Sequence, residues 1–236
     1  MNVALITAAG SSQRMKQDIP KQFLNVKDRP VIVYTLEAFQ KHPNIDAIAV
    51  VCLSGWEGIL RAYAAQFNIT KLKWIFPGGA TGHESRKNGI MGLHAECPGD
   101  TMVLVHDGNR PFVSQEIISD SISCCMRHKS AVAAIPCQEA MLLTDNQENA
   151  REQIPRSKLA RTQTPHAYYL DKLVWAHEEA EKRNITDTVA TCDLMLHLGE
   201  EVYFSAGSEK NLKLTTTDDI EIFKALLSVQ KDDWLK

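Results

Sequence analysis

The sequence contains no apolar run near the ~18 residues that a membrane-spanning helix needs. Its six cysteines, Cys52, Cys97, Cys124, Cys125, Cys137 and Cys192, form no C-x-x-C pair, so their spacing gives no zinc site. Two phosphate-binding signatures are missing. A dinucleotide fingerprint wants three glycines where Ala8 to Arg14 has one, and no G-x-x-x-x-G-K-[ST] loop occurs. No Ser-His-Asp or Cys-His pattern suggests a covalent nucleophile. A strong excess of one charge is also absent: the net charge is −3, which makes no case for a nucleic-acid or membrane surface. Any anion site must therefore be local. The opening Met1-Asn2-Val3-Ala4-Leu5 has neither a charged n-region nor a long apolar h-region, which argues against a signal peptide. Reduced thiols in a cytoplasmic protein are the expectation.

What is present is an ordinary globular composition, 44% hydrophobic and 23% charged over 236 residues. Apolar runs at Val3–Ile6, Ala47–Cys52, Leu72–Phe76, Met102–His106 and Ala131–Pro136 predict buried strands. Helical spacing between them, at Val31–Phe39, Trp56–Phe67, Glu84–His94 and Gln115–His128, predicts crossover units and a mainly parallel sheet. Helices are further expected at Leu170–Lys182 and Thr188–Leu198, strands at Val202–Phe204 and Leu212–Leu214, and a last helix capped near Thr217-Asp218-Asp219. From about 139 to 164 polar residues dominate, which fits an arm used for dimer contact or a surface loop. No repeat or linker divides the chain, so one domain, 1–236, is expected.

Ligands of open α/β sheets lie beyond the carboxyl ends of the strands, and three stretches fall there. Ala8-Ala9-Gly10-Ser11 opens a loop that carries Arg14, a fixed fork of donors, and Lys21, a mobile point charge, two cation types that suit a triphosphate. The same stretch also fits an ordinary turn with solvated cations. Gly78-Gly79-Ala80-Thr81-Gly82-His83-Glu84-Ser85 is a glycine loop entering a helix. In His106-Asp107-Gly108-Asn109-Arg110, Asp107 can hold Mg²⁺, which takes carboxylates together with substrate phosphates, or can cap the next turn. Arginine, lysine and Mg²⁺ without a nucleophile point toward nucleotidyl transfer, where positioning and charge neutralisation dominate.

As an ordered set these residues resemble the cytidylyltransferases that make CDP-activated polyols, the 2-C-methyl-D-erythritol 4-phosphate and ribitol-5-phosphate enzymes. The likeness covers essentially the whole chain. It rests on Ala8-Ala9-Gly10, Arg14-Met15, Pro20-Lys21-Gln22-Phe23-Leu24, Gly78-Gly79 with Ser85, His106-Asp107, Arg110-Pro111-Phe112, Arg156, Gln163-Thr164-Pro165, Thr186-Asp187 and Asn211–Thr216. It implies a Rossmann-like, doubly wound α/β domain with a protruding dimerisation arm, CTP and a polyol phosphate as substrates, and a homodimer. It further implies Arg14 and Lys21 as transition-state cations and Asp107 as the Mg²⁺ ligand. Arg156 and Lys213 would orient the acceptor phosphate, and Ala8, Ala9, Gly10, Ser11, Gly79, Ala80, Ser85 and Asp107 would form the CTP cradle.

The chain departs from the family pattern at four places. Ser12 replaces a usual glycine, and Gly82 stands where an arginine or its neighbouring acid often meets the nucleotide, with Arg86 nearby. Gly108-Asn109 replaces a small apolar pair, and Ala140 replaces a threonine of the erythritol enzymes. Trp56, Gln163-Thr164-Pro165 and Thr215-Thr216 resemble the ribitol enzymes more closely. The expected acceptor is therefore ribitol 5-phosphate-like, with 2-C-methyl-D-erythritol 4-phosphate as the alternative and a catalytically weak nucleotide-binding relative as a second one.

Overall fold

A computed structural model describes residues 1–10, 19–146 and 148–229. The chain runs β1 (Asn2–Ala8), β2 (Asn25–Val26), β3 (Arg29–Pro30), α1 (Val31–Lys41), β4 (Ala47–Cys52), α2 (Glu57–Gln66) and β5 (Leu72–Pro77). It continues through α3 (Gly82–Glu96), β6 (Met102–Asp107), α4 (Gln115–His128), β7 (Ser130–Pro136), β8 (Met141–Leu143) and β9 (Glu152–Ile154). The remainder is β10 (Ala160–Tyr169), α5 (Leu170–Lys182), α6 (Thr191–His197), β11 (Phe204–Ala206) and α7 (Thr217–Val229). Seven strands form one sheet in the order β11-β7-β10-β6-β1-β4-β5. β10 is antiparallel to both its neighbours, while the pairings β1–β4, β1–β6, β4–β5 and β11–β7 are parallel. This is the Rossmann-like, mainly parallel α/β architecture expected.

The apolar runs become strands because both faces of the sheet are covered. Alternate residues feed two cores. Ile6, Ile48, Val50 and Leu104 pack on one side, and Leu5, Val51, Val103 and Val105 on the other. On the second side α3 sits close, and Gly89 permits it. A Cβ there would lie 2.5 Å from Val51 Cγ2 and 2.9 Å from Leu5 Cδ1. At α7 the Thr216 hydroxyl accepts from the Asp219 amide, while the Asp219 carboxylate accepts from the amides of Thr215 and Thr216. This reciprocal cap starts the helix.

Three expectations are corrected. The strand β10 starts at Ala160, so the excursion from the sheet ends before residue 160 rather than near 164. Its polar Arg161-Thr162-Gln163-Thr164 sequence hides a strand because Arg161 and Thr162 pair with β7 at the exposed end of the sheet. The helix expected from Thr188 begins only at Thr191, because Thr188 and Val189 are tied to α3 instead. Leu212–Leu214 forms no strand. Instead Leu214 exchanges hydrogen bonds with Asn109, Leu214 N to Asn109 O at 2.9 Å and Asn109 Nδ2 to Leu214 O at 2.5 Å.

After β1 the chain adds β4 and β5 on one side, then crosses back to place β6 on the other. The carboxyl ends of β1 and β6 thus flank the point where strand order reverses, which is where an open α/β sheet binds ligands. The arm, with the β8–β9 hairpin, leaves from the carboxyl end of β7 and returns into β10, so it springs from the same edge.

Candidate active site

At this edge a cavity of about 500 Å³ is lined by the turn after β1, by Lys21, by the loop entering α3, and by Asp107 and Lys213. Ala8, Ala9, Gly10, Lys21, Gly79, Ala80, Ser85, Asp107 and Lys213 all meet there. Ser11, Ser12 and Arg14 lie outside the described residues. Arg156 sits in a turn on the arm, donates to Gln138 O at 3.2 Å, and lines neither this cavity nor its neighbour. A slightly larger hollow, about 550 Å³ and lined by His128, Lys129, Tyr169 and Glu200 among others, lies toward the other end of the sheet. It gathers none of the candidate residues.

Two loops build the floor. Buried Gln22 donates from Nε2 to Ala8 O at 2.8 Å and to Gly10 O at 3.1 Å, which fixes the turn after β1. Gly78 lets the second loop close against it, since a Cβ there would fall 2.4 Å from Ala9 Cβ. The Thr81 hydroxyl caps α3 by accepting from the Glu84 amide. Glu84 and Ser85 in turn accept from the amides of Ala80 and Gly79, at 2.7 and 3.0 Å. Conformationally free residues in sequence thus become a braced cradle at a helix N-terminus.

The charged centre is Asp107. Arg110 Nε and Lys213 Nζ each lie 3.0 Å from its Oδ2, and its amide donates to Thr164 Oγ1 at 3.1 Å. Burial opposes ionisation of this carboxyl. The Lys213 and Arg110 charges outweigh burial and hold it well below the usual carboxylate range. Behind it His106 bonds Arg110 O at 3.1 Å and Thr164 Oγ1 at 3.0 Å. Burial pushes His106 down to about 4, so the ring is neutral at pH 7. Asn109 holds the Leu214 backbone and so delivers the adjacent Lys213 to Asp107.

A second cavity of about 170 Å³ adjoins the first, with Thr7, Arg86, Asp107, Val189 and Lys213 lining both. Its own walls include Thr164, His166 and Thr191. Val189 and His166 went unnoticed in the sequence. Neither belongs to a motif, and only the path of the chain brings them here.

A switch-point cavity with a glycine loop, a buried carboxylate and converging cations suits a nucleotide, and the chain is a nucleotidyltransferase. Its sequence matches the profile of IspD, 2-C-methyl-D-erythritol 4-phosphate cytidylyltransferase, over residues 2–229, and the chain belongs to that family. It is similar to a ribitol-5-phosphate cytidylyltransferase of Lacticaseibacillus paracasei, with 41% identity over 96% of this chain and 98% of the relative. A 2-C-methyl-D-erythritol 4-phosphate cytidylyltransferase of Clostridium acetobutylicum is 34% identical over 96% and 97%. Among solved structures, 4-diphosphocytidyl-2C-methyl-D-erythritol synthase from Anaerococcus prevotii superposes with a TM-score of 0.81 at 25% identity, covering 96% of each chain.

Proposed function

We propose that this chain transfers CMP from CTP to a ribitol 5-phosphate-like polyol phosphate and releases pyrophosphate. In the reaction an acceptor phosphate oxygen attacks the α-phosphorus of CTP. A new P–O–P bond forms, the bond from the α-phosphorus to the bridging oxygen breaks, and pyrophosphate leaves with that electron pair. The observation that carries the reading is the cluster of Lys213, Arg110 and Asp107 at the junction of a nucleotide-sized cavity with a smaller one. Negative charge grows at this junction, and preorganised cations stabilise it there. Lys21 and Arg14 are assigned to the triphosphate, and Lys213 to the acceptor phosphate.

Among the described residues no three His, Cys, Asp or Glu side chains gather to form a metal site. One ionised carboxylate that shares its cavity with phosphates fits Mg²⁺, which is commonly held by one or two carboxylates plus the substrate. Asp107 would hold it, and the ion would neutralise and orient the phosphates.

The working unit in this reading is a homodimer of single nucleotidyltransferase domains. Met141, Leu142 and Leu143 on the arm are 44, 59 and 51% exposed, an apolar run that a second copy would cover. Arg156 and Ala140 ride on the same arm and would enter the partner's cleft. A cytoplasmic setting fits the six unpaired, buried cysteines. No helix among the described residues is long and apolar enough to cross a membrane.

The acceptor assignment leans on relatives named for ribitol 5-phosphate, 41 and 39% identical, against 34% for one named for the methylerythritol phosphate. The family profile carries the latter name and keeps that acceptor as the second reading. Pyrophosphate release with CTP, UTP, ATP and GTP tests the nucleotide. At saturating CTP, kcat/KM for the two acceptors decides between them. Equal rates with all four nucleotides, or none with any polyol phosphate, would remove the proposal.

A further inference from the structure

Arg86 lies on the first turns of α3, beside Gly82. The guanidinium passes Gly82 at ordinary contact distance, since a Cβ there would stand 3.4 Å from Arg86 Nη1. That group is turned toward the segment between α5 and α6. Nη2 donates to Thr188 O at 2.6 Å and to Thr188 Oγ1 at 3.1 Å, and Nη1 donates to Val189 O at 3.3 Å. One turn earlier, His83 Nδ1 meets Thr188 Oγ1 at 2.8 Å. From the other side Asp193 accepts from the Val189 amide at 2.9 Å. The segment between α5 and α6 is therefore gripped at both carbonyls and at an amide. Thr188 is buried as a result, while Val189 stands 90% exposed on the rim common to both cavities.

We propose that Arg86 is a positioning residue for the acceptor: it clamps Thr188 and Val189 so that Val189 holds the rim shared by the nucleotide and acceptor cavities. The inference rests on the reading of those cavities given above. The reacting oxygen and the α-phosphorus must meet at the junction of the two cavities, whose rim Val189 shares with Asp107 and Lys213, and a shift of about 1 Å there can cost about 10²-fold in rate. A planar fork is the side chain suited to holding several acceptors at once, and a lysine cannot reproduce it.

The test uses Arg86→Met, Arg86→Lys and Val189→Ala in the full chain, with three readouts. For Arg86→Met, amide exchange over residues 188–191 should quicken about tenfold or more, as hydrogen bonds that resist opening are lost. Acceptor KM should rise about tenfold while CTP Kd stays within about threefold. Arg86→Lys should fall between Arg86→Met and the parent chain. Val189→Ala, at an exposed site where folding is not at risk, should raise acceptor KM without changing exchange. Unchanged exchange in both Arg86 variants overturns the clamp. Weakened CTP binding with normal acceptor KM overturns it too, and makes Arg86 a nucleotide ligand. If the parent chain turns over no polyol phosphate, the functional reading fails, while the exchange experiment still decides the clamp. Should Arg86→Met not fold, Arg86→Lys and Val189→Ala carry the same tests.

Discussion

Lys213 Nζ and Asp107 Oδ2 are 3.0 Å apart, although 106 positions separate them along the chain (213 minus 107). The contact joins the carboxyl end of β6 to the segment before α7, and Asn109 is the hinge pin that makes it possible. With Arg110 on the same oxygen, two cations face one carboxylate. The centre carries a net positive charge, as a phosphate-binding site requires.

The first prediction follows from that balance. Lys213→Ala leaves the Asp107–Arg110 pair intact but removes one of the three cations, with Arg86 and Arg110, that line the smaller cavity. A hydrogen bond to a charged group contributes about 1.5–3 kcal/mol, so acceptor KM should rise on the order of 10-fold or more. Steady-state kinetics at saturating CTP check it. An unchanged KM would detach Lys213 from the acceptor.

Lys21 is expected to act differently. It lines the nucleotide cavity and is assigned to charge that develops on the leaving phosphates. Lys21→Ala should lower kcat by on the order of 10²-fold, as for loss of one preorganised charge donor, with a smaller change in CTP affinity. A normal kcat with a raised KM would make Lys21 a ground-state ligand only.

Much of this architecture was legible because its signals are local. Ala47–Cys52 and Met102–His106 are short apolar runs set between helix-spaced segments, which reads as doubly covered strands, and a glycine loop before α3 marks a strand end. β10 was not legible. Its first half is polar, lying where the sheet meets the arm, and it runs antiparallel in a sheet whose other neighbours are parallel. Lys213 was assigned only by resemblance, since nothing in Leu212-Lys213-Leu214 announces a partner as distant in sequence as Asp107. Val189 gave no signal at all. Its place depends on three hydrogen bonds from Arg86 to Thr188 and Val189, and spacing does not encode them.

The arm supplies a third prediction. Leu142→Asp places a charge in the exposed apolar run Met141–Leu143. Little else in its own chain covers this run, so the fold should survive. In the proposed homodimer the contact should weaken, because burying an unpaired charge at an interface is costly. Light scattering at micromolar concentration should show a monomer, and activity should fall with it as Arg156 is withdrawn from the partner's cleft. A fully active monomer would remove the dimer as a requirement.

The last prediction concerns acid. His177 on α5 is 1% exposed, packs edge-on against His83 at 5.1 Å, and neither ring nitrogen has a hydrogen-bond partner among the described residues. Burial pushes its pKa down to about 3, and the basic neighbours His83, Arg86 and Lys87 push the same way. Folding therefore favours the neutral ring. Its contribution is fully present above the ordinary histidine pKa of about 6.5 and is lost as pH falls from there toward 3. Between pH 7 and pH 5 that loss amounts to about 2 kcal/mol, since each pH unit below the unfolded value costs about 1.4 kcal/mol. His177→Leu removes the titrating group and leaves no polar atom unpaired. Denaturant unfolding at the two pH values should show the parent chain losing about 2 kcal/mol more than the variant. His83 and the other buried histidines are present in both proteins, so the difference reports His177 together with its coupling to His83. Equal losses would mean that the His177 ring finds a proton acceptor or water on protonation, and that its burial does not set the acid sensitivity of the fold.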